Sequence, residues 1–226
     1  MRAVVLTLIV LSLSVSAAAQ IAPGVMEIAD YRGLHAAAAK DDVADIERLV
    51  KTGAPIDARD SHARTPLHVA VFLQKRSAVR ALLRLGTDAN ALEAQKYDIV
   101  TIAAVANDVA TLKLALEGGC RAGNITSPYD GTALIAAAHL GHDEVVRTLI
   151  AAKAPLDHVN NLGWTALIES IVLGDGGRRH VATLKALVDA GANVNLADRT
   201  GTTPLTLAKR RGYTDMIAIL TAAGAR

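Results

Sequence analysis

The chain has 226 residues, of which 51% are hydrophobic, 3% aromatic and 20% charged, with 24 Lys and Arg against 22 Asp and Glu. Such a balance excludes a dedicated nucleic-acid or anionic-membrane surface, both of which need a cationic excess. One cysteine, Cys120, excludes an internal disulfide, so the core has to come from packing.

In chain order, the first segment stands apart. Arg2 is a short positive region, Ala3 to Val15 is an apolar run, and Ala17-Ala18-Ala19 supplies an A-x-A site ahead of Gln20. The run is shorter than the roughly 20 residues of a membrane span. The pattern is that of a secretory signal peptide over 1–19. It predicts cleavage before Gln20, no membrane span in the mature chain and a periplasmic location, with secretion as the alternative. Residues 20–30 form a lead-in.

From residue 31 the chain repeats. Thr65-Pro66-Leu67-His68-Val69-Ala70 precedes Val79, Ala81, Leu82, Leu83 and Gly86. The same slots recur from Arg32, Asp98, Thr132, Thr165 and Thr203, with repeats at about 31–61, 62–94, 95–127, 128–160, 161–198 and 199–226. A Thr before Pro is a helix N-cap, and Pro suits the first helical position. Leu67, Ala70 and Val71 then form one buried face. Nine residues after each Thr slot stand Asp41, Gln74, Asn107, Gly141, Gly174 and Gly212. These mark the end of the first helix, where a left-handed residue is favoured. A second helix follows and closes at Gly53, Gly86, Gly119, Lys153, Gly191 and Gly224.

Neither helix is long enough to be stable alone, so the copies must stack. The period and the TPLHxA pattern resemble the ankyrin repeat. The resemblance covers residues 30–226 and implies an all-α solenoid of about six helix-turn-helix repeats joined by β-hairpin-like loops. It further implies a protein partner bound by hairpin tips and the concave face.

No catalytic constellation accompanies the repeats. His35 and His68 fill the TPLH slot, where the family uses the imidazole to bond neighbouring loops. His139 and His142 lack a third ligand nearby in sequence. Gly174-Asp175-Gly176-Gly177 lacks the Lys-Ser/Thr of a phosphate loop. The sequence therefore predicts no catalytic residue, cofactor or metal.

The residue before each Thr slot is Tyr31, Arg64, Tyr97, Gly131, Trp164 or Thr202. One repeat position recurs as a line on one face of a solenoid, and Tyr, Trp and Arg dominate interface energetics. Tyr31, Arg64, Tyr97 and Trp164, with Tyr129 on the neighbouring tip, are candidate partner-binding residues; the alternative is that they pack along adjacent hairpins. Arg178, Arg179, Lys209, Arg210 and Arg211 form a candidate basic patch at the inter-helix turns. Five residues are inserted there in the fifth copy. Ala63 and Lys96 replace the hairpin Gly, which predicts altered turns at the tips of copies two to four. Met216 or Ile219 in the last helix is predicted to be half exposed. The function this supports is a monomeric, non-catalytic protein-binding scaffold; the alternative is a secreted effector.

Overall fold

The computed structural model describes residues 20–226. The leader prediction over 1–19 lies outside the described residues. A short helix, α1 (Val25–Asp30), precedes six helix pairs: α2 (Gly33–Ala39) with α3 (Val43–Lys51), α4 (Pro66–Phe72) with α5 (Arg76–Arg84), and α6 (Ile99–Val105) with α7 (Val109–Glu117). Then come α8 (Ala133–His139) with α9 (Asp143–Ala151), α10 (Ala166–Val172) with α11 (Arg178–Asp189), and α12 (Pro204–Arg211) with α13 (Thr214–Ala222). Each even-numbered helix from α2 packs on the next even one, and each odd-numbered helix from α3 on the next odd one, so two rows run the length of the stack.

The six N-caps of the first row are Arg32, Thr65, Asp98, Thr132, Thr165 and Thr203, the positions set by the repeat. Five of these side chains accept the backbone N–H three residues on, from 2.8 Å at Asp98 to 3.4 Å at Thr65. Between the rows lies a continuous core that includes Leu67, Leu82, Leu112, Leu134, Leu149 and Leu167, none more than 1% exposed. The solenoid thus buries what each pair could not bury alone.

The TPLH histidines stitch successive copies. His35 Nε2 lies 2.9 Å from the Arg64 carbonyl, and His68 Nε2 lies 3.3 Å from that of Tyr97. The other ring nitrogen of His68 accepts from the Thr65 amide at 3.2 Å. Burial depresses the His68 pKa from 6.5 to about 4, against the hydrogen bond to Tyr97, which favours the charged form. The ring is therefore neutral at ordinary pH and serves as a one-donor, one-acceptor bridge.

The hairpin tips correct one expectation. Ala63 and Lys96 take φ of 57° and 63°, the left-handed conformation that Gly163 and Gly201 hold in later copies. A side-chain acceptor four residues before the stripe position fixes the turn. Asp60 accepts from the amides of His62 and Arg64, Glu93 from Gln95 and Tyr97, and Asn160 from Leu162 and Trp164. Those paired bonds hold the backbone where glycine is absent, so the tips of copies two and three keep the common turn. The fourth tip absorbs its extra residue: Ser127 and Asp130 both take positive φ, and Thr126 bridges Gly131 in antiparallel fashion.

The insertion in copy five also differs from expectation. It is not all loop: α11 has 12 residues where the other second helices have nine. Gly174 does not take the left-handed form; Gly176 does, at φ 71°. Gly174 is required for another reason, since a Cβ there would lie 2.1 Å from the Ser170 carbonyl oxygen. In the last helix Met216 is fully buried and Ile219 is half-buried, so of the two residues expected to be half exposed it is Ile219 that is.

Candidate functional site

The repeat position ahead of each N-cap does form a line, but its members divide by role. Tyr31 donates its hydroxyl to Asp60 Oδ2 at 2.8 Å and stacks obliquely on His35. Arg64 is 0% exposed. Its Nε donates to Asp60 Oδ2 at 2.8 Å, Nη2 pairs with Glu27, and Nη1 reaches the Ile21 carbonyl at 3.3 Å. Burial alone would raise the Asp60 pKa, but hydrogen bonds from Arg64, Tyr31 and His62 outweigh it and hold the carboxyl below its usual range. This end of the line fastens α1 to the stack and offers Arg64 to no partner. The ligand-type atoms of Glu27, Asp60 and His62 lie within 4.8 Å of one another. The Arg64 guanidinium between the two carboxylates already supplies the positive charge a metal ion would bring.

The other three predicted contact residues come together. Tyr97, Tyr129 and Trp164 line a single cleft of about 260 Å³ where the hairpins of copies three to five meet the first-row helices α6, α8 and α10. Tyr97 is 6% exposed, and burial raises the pKa of its hydroxyl. Tyr129 and Trp164 are half-buried. Ile135 and Ala136 from α8, with Leu140 capping its end, form an apolar floor, and Leu173, capping the end of α10, lies beside them.

Two polar groups at the cleft were not singled out in the sequence. Glu169 on α10 is only 5% exposed; its Oε1 accepts from Asn160 Nδ2 at 2.7 Å, and Oε2 lies 3.5 Å from His139 Nδ1. Gln20 lines the same cleft, and its amide nitrogen is buried without a hydrogen-bond partner. Position in the repeat carries the only sequence signal for Glu169: a charged residue in the middle of an otherwise apolar Ala-Leu-Ile-x-Ser-Ile-Val helix.

The basic residues at the inter-helix turns divide by role. Arg179 Nε donates to the Gly141 carbonyl at 3.2 Å, and Arg211 Nη2 donates to that of Val172. Both satisfy carbonyls at the end of the preceding first-row helix. His142, His180 and Tyr213 do the same for Ala104, His139 and Gly174 at 3.0, 2.9 and 2.8 Å. Arg178, Lys209 and Arg210 are exposed; Arg178 begins α11, while Lys209 and Arg210 lie in the last turn of α12. Cys120 is buried, donates to the Ala89 carbonyl at 3.2 Å, and has its pKa pushed up to about 12 by burial. Such a thiol is a core side chain, not a nucleophile. Among the described residues no helix is long and apolar enough to cross a membrane.

A two-row helical solenoid with hairpin tips, TPLH bridges and a concave aromatic cleft defines the ankyrin-repeat class. The ankyrin-repeat model in three copies matches residues 100–198, and the single-repeat model matches 62–94. The chain is 31% identical to the ankyrin repeat protein YahD of Escherichia coli K12 over 190 residues, covering 84% of this chain and 94% of YahD. A solved ankyrin repeat domain from Acinetobacter baumannii superposes with a TM-score of 0.80 at 42% identity, covering 85% of this chain and 98% of that one. The ankyrin repeat domain of Bcl-3, a member of the IκB family, gives 0.77 at 26% identity, with 87% and 88% covered. The chain belongs to the ankyrin-repeat family, whose repeats serve as protein-binding scaffolds.

Proposed function

We propose that this chain is a non-catalytic scaffold that holds one partner protein in the cleft of copies three to five, and that it does so in the periplasm. The observation that carries the binding site is the gathering of Tyr97, Tyr129 and Trp164 around one concavity. Three of the six aromatic residues of the chain stand there. Aromatic side chains in a partly desolvated pocket are the usual anchors of a protein interface. The location rests on the signal-like pattern ending at Ala19; N-terminal sequencing of the exported protein should begin at Gln20.

Because Tyr97 is buried, the binding test uses the two half-buried aromatics. Tyr129→Ala with Trp164→Ala should keep the helical circular dichroism and lose capture of the partner from periplasmic extract. Unchanged capture by a folded double variant rejects the cleft as the contact surface.

A further inference from the structure

The cleft contains a charge that its own surroundings leave half-compensated. Glu169 is enclosed at 5% exposure, yet one of its two carboxylate oxygens takes a single amide hydrogen bond from Asn160, and the other has only His139 Nδ1 at 3.5 Å. That distance is beyond a good hydrogen bond. A buried carboxylate is costly unless it is fully paired. Among the described residues no lysine or arginine lines the cleft. Facing the same space are the rings of Tyr97, Tyr129 and Trp164. Aromatic faces attract cations, and a carboxylate behind them adds direct charge pairing.

We propose that the cleft seats a cationic side chain of the partner protein, an arginine before a lysine, with Glu169 as counter-ion and the three aromatic residues as its walls. Arginine is favoured because its planar guanidinium stacks on rings while donating to a carboxylate. The volume of about 260 Å³ has room for one long side chain. The inference rests on the reading of this cleft as the partner-binding surface, and adds what the partner inserts.

The test uses the single tryptophan of the chain, Trp164, as a reporter built into the cleft wall. The purified protein is titrated with acetyl-Ala-Arg-Ala-amide and with the same peptide carrying citrulline, the neutral isostere of arginine. The arginine peptide should change Trp164 emission saturably and bind roughly tenfold tighter than the citrulline peptide. Glu169→Gln, which keeps an oxygen for Asn160, should bring the two peptides to similar affinity. Equal binding of both peptides by the natural protein, no response to either, or an arginine preference that survives Glu169→Gln overturns the proposal. If the arginine preference is missing while the Tyr129→Ala and Trp164→Ala pair still abolishes capture of the partner, the cleft is the binding surface and only the cation is wrong. If both fail, the surface itself is wrong.

Discussion

His68 should make this solenoid acid-sensitive in a way that one substitution can remove. In the folded chain its ring is sealed between the Thr65 cap and the Tyr97 carbonyl, 1% exposed, with a pKa of about 4 in place of 6.5. A histidine whose folded pKa is depressed leaves stability intact above the unfolded value. As pH falls from 6.5 towards 4, the unfolded chain gains a proton that the folded chain refuses, and stability is lost across that window. At 1.36 kcal/mol per unit, a shift of this size corresponds to about 3 kcal/mol over the full window. His68→Gln keeps a side-chain amide able to donate to Tyr97 but cannot titrate. Urea unfolding of both proteins, followed by circular dichroism from about pH 7.5 down to about pH 4.5, reads the difference. Other titrating groups, such as Asp60 and His142, are shared and cancel. The variant should be the less stable at neutral pH, and the gap should close by about 2 to 3 kcal/mol on acidification. Parallel curves would refute the assignment of a buried, neutral His68.

Gly174→Ala should destabilise by about 2 to 4 kcal/mol, because its Cβ would meet the Ser170 carbonyl at 2.1 Å; thermal melts against Gly191→Ala, whose Cβ meets nothing, isolate the steric effect from the strain at positive φ. Lys153→Gly should raise stability by up to about 1 kcal/mol, since Lys153 is exposed and holds φ at 61° in the slot that glycine fills elsewhere; a lowered urea midpoint would contradict the strain argument. Arg64→Met should cost about 3 to 5 kcal/mol by stranding Asp60, and should loosen α1 first, visible as early hydrogen exchange over Val25–Asp30. Cys120 should resist thiol reagents in the native protein and react fully in denaturant, within the same assay.

The repeat makes most of this architecture readable without coordinates. All six first-row N-caps fall on the slots marked by Thr65 and its equivalents, including Arg32, which has no capping side chain at all. Phase thus dominates local chemistry: stacking places Arg32 and Asp98 as firmly as it places threonines. The same dominance explains where glycine-based reasoning fails. Ala63 and Lys96 adopt left-handed backbone because the side-chain acceptors Asp60 and Glu93 hold the turn. The site was half legible. Tyr97 and Trp164 share a face because they share a repeat position, and Tyr129 joins them from the intervening tip. Arg64 occupies the same position, but Glu27, far away in the lead-in, closes over it, and no periodic pattern reports that contact. Glu169 was missed for the related reason that its burial depends on Asn160 and His139, from a neighbouring hairpin and a neighbouring helix.

Site-specific photo-crosslinking tests the central claim most directly. A benzoylphenylalanine at Leu162, on the cleft rim, is compared in cells with one at Lys185, exposed on the second helix row. The cleft position should trap one protein of defined mass and the outer position none. Equal trapping from both faces, or trapping only from Lys185, would contradict a scaffold that holds its partner in the concave cleft.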